Sequence, residues 1–402
     1  VPLASSGIFG QVSRSINALI RKTTAAHLRV ISGVIDLNHI SHHHAFSILY
    51  SVNLQKMKTL FYSSKDFEYP FIVAANQQAL DLQFTPVSLS LNTVDQAEGC
   101  EAICIFTSDD ASADVLQELK KIGVKHVVLR SGGFNNIHLE TAAQLGITVA
   151  YAPDCSPEAV AEHTIALMLA LGRHLITANR QTRRNDFTLS NLVGFNLQGK
   201  KVGIIGTGRI GSAVARILHG FECELMGYDV HYNENLVEQY HLQYTSLREL
   251  CKRADIITIH TPLTRQTRYL IDSDFLEDVQ HGLMLINTSR GMVLNTCAVL
   301  NALEDGIIGS LGLDVYENEK EIFFTNRTTN PPEDPIFLKL MQMPNVLITP
   351  HQAFATQEAL QKIADTTIYN LQCFESKDLS KYQLTCTVES ITKSPERAYM
   401  LY

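Results

Sequence analysis

A chain of 402 residues exceeds what a single hydrophobic core organises, so two domains are the natural expectation. Apolar residues make up 45% and charged ones 18%, an ordinary globular balance, and no apolar run approaches the ~20 residues of a membrane span. The net charge of −8, with no basic cluster in the body of the chain, argues against nucleic acid or a membrane as a partner.

The first 56 residues read differently from the rest. They hold five basic residues (Arg14, Arg21, Lys22, Arg29 and Lys56) and one acid, Asp36, and leave 28 basic and 40 acidic residues for the remainder. This Ser-rich, acid-poor stretch has the composition of an organelle transit peptide, which would make the protein mitochondrial. It equally suits a disordered tail or a non-native extension on a cytoplasmic protein. The run Met57-Lys58-Thr59-Leu60-Phe61-Tyr62 reads as a start, an initiator followed at once by a strand, and favours the second reading. His39, His42, His43 and His44 fall in this extension without supporting ligands, and no metal is expected. The cysteines (Cys100, Cys104, Cys155, Cys223, Cys251, Cys297, Cys373 and Cys386) form no CxxC pair and mostly sit in apolar stretches, as buried thiols in a reducing compartment do.

From Met57 onward, β-rich runs alternate with helical patterns, the signal of parallel sheets built from βαβ units. Strands are expected at residues 58–63, 102–106, 126–131 and 147–152, with a helix over 115–123 closed by Gly123. A long helix starts at Ser156-Pro157-Glu158: Ser caps it, Pro fits its first position, and Glu158 complements the dipole. It is apolar on nearly every face and so belongs in the interior, between two α/β blocks. The second block opens at Lys200, with strand 201–205, helix 210–220 and strand 224–228, then strands at 255–260, 283–287, 308–315 and 345–349. A last helix near 357–374 has no strand left to pair with in that block, which points to its return to the first one.

The sharpest local pattern is Gly206-Thr207-Gly208-Arg209-Ile210-Gly211, directly after the strand KVGII and opening a helix. Gly206 permits the tight turn, Gly208 lets a pyrophosphate approach the backbone, and Gly211 lets helix and sheet pack closely. The helix N-terminus offers free amides to phosphates. Asp229, 18 residues after Gly211 at the end of the next strand, accepts ribose hydroxyls and repels a 2′-phosphate, so it selects NAD over NADP. A pyridine nucleotide implies hydride chemistry, which needs a cation for a substrate carboxylate and an acid/base for a carbonyl oxygen. Arg290, Glu319 and His351 each follow a different expected strand, at the end where ligands bind in open α/β sheets. Singly, each reads as a solvated loop residue; together they suggest one site.

These runs, together with LRSGGFNN (129–136), SPEAVAEHT (156–164), HTPLT (260–264), INTSRG (286–291), GSLGLDVYENE (309–319) and TPHQAFAT (349–356), resemble the D-isomer-specific 2-hydroxyacid dehydrogenases, in particular their fermentative D-lactate branch. The resemblance covers roughly residues 57–387. It implies an α/β fold of two doubly wound parallel-sheet domains: a Rossmann NAD-binding domain at 156–351 and a discontinuous flavodoxin-like substrate domain at 57–155 plus 352–392. It implies that Arg290 binds the substrate carboxylate with the amides of Gly132 and Gly133, that His351 protonates the carbonyl, and that Glu319 hydrogen-bonds His351. Asp314 would contact the nicotinamide carboxamide, and His260, Pro262 and Thr288 would join the glycine-rich loop around the cofactor. Phe354 marks the lactate branch and would wall the pocket around a small alkyl group. The tyrosine that some members place in the substrate loop has no counterpart in Thr107-Ser108-Asp109-Asp110.

The implied activity is NAD-dependent interconversion of a small 2-keto acid and its D-2-hydroxy acid, pyruvate and D-lactate first among them, in a homo-oligomer. A sibling enzyme for a larger or more oxidised acid (phenylpyruvate, 2-ketoisocaproate, hydroxypyruvate) and an NAD-sensing co-repressor of similar sequence are the alternatives.

Overall fold

The computed structural model describes residues 56–153 and 156–385. The histidine-rich extension therefore lies outside the described residues, as do Cys155 and Cys386.

Among the described residues twelve strands form two sheets, every strand pairing parallel, with one isolated antiparallel bridge between Ala150 and Gln383. The first contains β1 (Lys58–Phe61), β2 (Asp81–Phe84), β3 (Ala102–Ile105), β4 (His126–Leu129) and β5 (Thr148–Tyr151), in the order β2-β1-β3-β4-β5. The second contains β6 (Lys201–Ile205), β7 (Glu224–Tyr228), β8 (Gln243–Tyr244), β9 (Ile256–Ile259), β10 (Leu283–Asn287), β11 (Ile308–Leu313) and β12 (Val346–Ile348). Its order is β12-β11-β10-β9-β6-β7-β8, so the chain reverses direction across the sheet between β6 and β9. Ligands bind in open α/β sheets at such a reversal, outside the carboxyl ends of the strands.

Register sets the level at which each loop leaves the second sheet. Ile205 lies beside both Tyr228 and Ile259, and Ile259 beside Asn287. Asn287 in turn lies beside Leu313, and Leu313 beside Ile348. Gly206, Asp229, His260, Thr288, Asp314 and Thr349 therefore emerge along one edge. In the first sheet Ile105 lies beside Leu129, which brings Phe106 and Arg130 out together.

The sequence expectation for β6, β7 and β10 matches to the residue, whereas several other strands stop one or two residues earlier than expected. Among the residues cut off, Phe106, Arg130, Ser131, His260 and Asp314 line the cleft described below.

Helix Pro157–Gly172 is capped by Ser156, whose side chain accepts from Ala159 N–H, with Pro157 in the first turn. It packs on helix Arg209–Gly220 and on β10 and β11, so it belongs to the seven-stranded sheet. No single helix among the described residues is long and apolar enough to cross a membrane. Helix Gln357–Ser376 packs on helix Tyr69–Asn76 and on β4 and β5. Its Ala364, Ile368, Leu371 and Phe374 meet Phe61, Cys104, Val128 and Ala150 of the first sheet. Each large apolar side chain so buried contributes about 1.5–3 kcal/mol.

Under the carboxyl ends of β1, β3 and β4 lies a buried ion pair. Arg130 donates Nε–H and Nη2–H to the two oxygens of Glu68 at 3.0 and 2.9 Å, and also bonds the carbonyls of Tyr62 and Cys104. Only a guanidinium offers that many directed donors, so the pair ties three strand ends to one loop. Of the described cysteines, Cys100, Cys104 and Cys251 are buried free thiols, while Cys297 is exposed, against the expectation of burial. It stands in the first turn of helix Thr296–Glu304, whose buried face is carried by Val299, Leu300, Ala302 and Leu303.

Candidate active site

The turn after β10 is built around Asn287. Its side-chain oxygen accepts from Ser289 N–H and Oγ–H, and its amide donates to Arg290 O at 3.0 Å. A side chain at Gly291 would strike the Tyr316 carbonyl at 2.1 Å, so this turn and the end of β11 are in backbone contact. Arg290 is thereby aimed across the cleft, where a Cβ added at Gly133 would lie 2.1 Å from its Nη2. Ser131 Oγ–H donates to Gly133 O at 2.6 Å and closes the opposing loop.

His351 follows β12 with a left-handed backbone, φ +54, and its N–H donates to the Asp314 carbonyl at 2.8 Å. Its Nδ1 lies 2.9 Å from Glu319 Oε1, and Glu319 Oε2 accepts from Tyr316 N–H at 2.9 Å. With Nδ1–H committed to the carboxylate, Nε2 is the nitrogen left for a ligand. Asp314 is fully buried, and its carboxylate organises the loop that carries His351. It accepts from Thr349 Oγ–H at 2.6 Å and from the N–H groups of Gln352 and Ala353, both at 2.9 Å.

Arg290, His351, Gly132, Gly133, Phe354, Asp314, Thr288, His260, Pro262, Gly208, Arg209 and Ile210 line one cleft of about 300 Å³. Glu319 does not line it and stands behind His351. Asp229 lines a second groove with Thr207, Tyr232 and Asn233, and the two share Gly208. Asp229 Oδ2 accepts from Thr207 N–H at 2.6 Å, and Oδ1 from His231 N–H at 3.0 Å.

The glycine-rich loop fits a dinucleotide on three counts. Gly206 has φ +92, and a Cβ there would meet the His260 carbonyl at 2.7 Å. A Cβ at Gly211 would meet Gly206 O at 1.9 Å, whereas Gly208 faces open space. The N-terminus of helix Arg209–Gly220 begins at that opening without a side-chain cap, as helix starts that receive a phosphate do. His260 adds a fourth observation: its Nδ1 is buried with no hydrogen-bond partner, and burial pushes its pKa down to about 3, so a neutral ring borders the cleft.

Several lining residues were given no role in the sequence: Phe106, Arg130, Val160, Ala353 and Ile363. In the expected substrate loop, Asp109 turns inward and is fully buried, accepting from Ser63, Leu89 and Phe106. Only Thr107 of that loop reaches the cleft, next to Phe106. The signal for Phe106 was its place at the carboxyl end of the expected strand 102–106.

The profile of the D-isomer specific 2-hydroxyacid dehydrogenase family, NAD binding domain, matches residues 165–353. A 2-hydroxyacid dehydrogenase homolog of Haemophilus influenzae is 44% identical over 80% of this chain and 97% of its own length. The D-lactate dehydrogenase of Escherichia coli is 41% identical over 82% of this chain and 100% of its own. A solved D-lactate dehydrogenase from Aquifex aeolicus, complexed with NAD and lactic acid, superposes with a TM-score of 0.72 at 33% identity, covering 80% of this chain and 96% of that one.

Proposed function

The chain belongs to the D-isomer-specific 2-hydroxyacid dehydrogenases, and from that premise we propose that it is an NAD-dependent oxidoreductase that interconverts pyruvate and D-lactate. The observation that carries this reading is the pair His351–Glu319 facing, in one cleft, the guanidinium of Arg290 beside Gly133.

In this reading Arg290 and the loop of Gly132 and Gly133 hold the substrate carboxylate, since a planar guanidinium matches it with two parallel bonds. His351 Nε2 then points its proton at the carbonyl oxygen, and Glu319 fixes the ring through Nδ1 and stabilises the imidazolium. In the reverse direction the neutral ring takes the hydroxyl proton back. NAD, when bound, supplies or accepts the hydride at the carbonyl carbon. Gly206, Thr207, Gly208 and the helix amides would hold its pyrophosphate, Asp229 its ribose, and His260, Pro262, Thr288 and Asp314 its nicotinamide end. Phe354, with Phe106, walls the side of the pocket left for the substrate's alkyl group. We propose residues 57–155 with 352–392 as the substrate domain and 156–351 as the NAD-binding domain, a division supported by which sheet each helix covers. The test is NADH oxidation with a panel of 2-keto acids; absence of turnover with every one would remove the proposal.

Asp229 should make NADH strongly preferred over NADPH, because a carboxylate at the ribose edge repels the 2′-phosphate. Asp229→Ser is expected to narrow the ratio of kcat/KM values for the two cofactors. It should also weaken NADH binding, since it frees Thr207 of the glycine-rich loop. Equal efficiency with both cofactors in the unmodified protein would defeat the assignment.

A homo-oligomer is the further proposal, supported by a band of exposed apolar side chains on helix Leu175–Thr182 and the segment after it. Leu175, Ile176, Phe187, Leu189 and Val193 all face solvent, Val193 at 87% exposure. Patches of this kind mark protein interfaces. Sedimentation velocity should show a dimer or larger at micromolar concentration, and Leu189→Asp with Val193→Asp should dissociate it. A monomer in the unmodified protein rejects the idea.

A further inference from the structure

One residue in the segment after Glu319 has a backbone that its side chain does not favour. Phe324 has φ +62, the left-handed region that bulky residues rarely enter. Such a conformation persists only where the surroundings over-determine it, and it concentrates at functional sites.

Two of the contacts that hold Phe324 come from the other side of the cleft. Lys65, in the loop after β1, donates Nζ–H to the Phe324 carbonyl at 3.2 Å. The ring of Phe106, just past β3, meets the Phe324 ring edge to face, with centroids 4.9 Å apart and an interplanar angle of 90°. The Phe324 ring also lies 5.6 Å from the imidazole of His351, and Phe354 lies 6.4 Å from the same imidazole. Phe106 and Phe354 are themselves 6.5 Å apart, so two rings, Phe324 and Phe354, stand beside the imidazole and Phe106 touches both of them.

Phe324 itself does not line the cleft but packs behind two residues that do, Phe106 and His351, and we propose that it is a specificity-determining residue, backing the alkyl-side wall, with Lys65 as the positioning residue that keeps it there from the opposite lobe. The inference rests on the keto-acid reading above and extends it to a size limit. A keto acid with its carboxylate on Arg290 and its carbonyl oxygen at His351 has only the aromatic side of that imidazole left for its 2-substituent. Phe324 backs Phe106 there, and its carbonyl bond to Lys65 prevents the wall from retreating without breaking a contact across the cleft. The pocket therefore admits a methyl group and penalises a branched chain. A single methylene in such a wall changes kcat/KM by about 10–200-fold.

The experiment compares kcat/KM for pyruvate and for 2-ketoisocaproate in the unmodified protein, Phe324→Gly, Phe324→Leu and Lys65→Met, with NADH affinity read by fluorescence titration. Phe324→Gly removes the ring and at the same time suits the left-handed backbone, so folding should be preserved; Phe324→Leu gives the same readout should the glycine variant fail to fold. The ratio of 2-ketoisocaproate to pyruvate efficiency is expected to rise by at least ~10-fold in Phe324→Gly. It should rise by less in Lys65→Met, with KM for pyruvate raised more than kcat is lowered. NADH affinity should stay unchanged in all variants. A merely structural Phe324 would depress both substrates alike, and a ratio within twofold of the unmodified protein overturns the inference. An unmodified protein that reduces no 2-keto acid overturns the proposed function, and this inference with it.

Discussion

His351→Ala is expected to lower kcat for pyruvate reduction by about 10²–10⁴-fold, the usual contribution of a positioned general acid. Hydride arriving at the carbonyl carbon leaves an alkoxide, and the proton must be delivered as that charge forms. Among the cleft-lining residues, the only other histidine, His260, has its pKa pushed down to about 3 by burial and cannot serve as a donor near neutral pH. NADH affinity should be unaffected, because the loop around Asp314 is held by Thr349 and by main-chain amides rather than by the imidazole ring. Glu319→Gln keeps the shape but removes the charge 2.9 Å from Nδ1, and should cost a smaller factor. Because Glu319 acts through His351, the double variant should be no slower than His351→Ala alone. Steady-state kinetics on the four proteins settle the matter: losses that multiply would show that the two residues act independently, and a His351→Ala enzyme within tenfold of the unmodified one would end the assignment.

Arg290→Lys is expected to cost about 2–4 kcal/mol in kcat/KM for pyruvate, most of it through KM, as for truncating a buried charge-to-charge hydrogen bond. The charge survives the substitution, but the planar pair of donors does not. The surrounding geometry leaves little room for repair. Arg290 Nη1–H donates to the Ser289 carbonyl at 2.7 Å, which fixes the plane of the guanidinium, and Gly133 is packed against Nη2. A shorter, single-point ammonium would leave that space and the substrate carboxylate partly unpaired. Near-native KM in Arg290→Lys would mean that another group holds the carboxylate.

The parts of the fold that were legible in the sequence are those where a local pattern and the tertiary environment agree. The strands KVGII, ELMGY and LMLIN are short apolar runs bounded by polar or glycine residues, and they lie inside the second sheet with neighbours on both sides. The edge strands β2 and β8 were not legible. Asp81–Phe84 is largely half-exposed and Gln243–Tyr244 is only two residues long, so neither has a buried face for a pattern to show. Helices of five to eight residues, such as Ser273–Glu277 and Tyr69–Asn76, are too short to display a 3.6-residue period.

The site divides along the same line. Gly206, Gly208, Gly211 and Asp229 were readable because strand, turn and helix are consecutive. The pairing of Glu319 with His351 spans 32 residues and two loops, and only the family resemblance suggested it. Glu68 beneath Arg130, and Lys65 against Phe324, join residues 62 and 259 apart, for which a single sequence carries no local signal. Phe106 and Phe324 each abut an apolar run and so resemble ordinary core residues until the two sides of the cleft are seen together.

The return of helix Gln357–Ser376 to the first sheet has a consequence for the order of synthesis. β1 to β5 leave the ribosome first, yet the face formed by Phe61, Cys104, Val128 and Ala150 is covered by a helix that begins about 200 residues after β5 ends. At translation rates of about 5–20 residues per second, that face waits on the order of 10–40 s for its cover. The seven-stranded sheet, encoded wholly within the interval, can complete itself meanwhile. The lobe begun first is therefore finished last, and its apolar underside is the surface that a nascent-chain chaperone would meet.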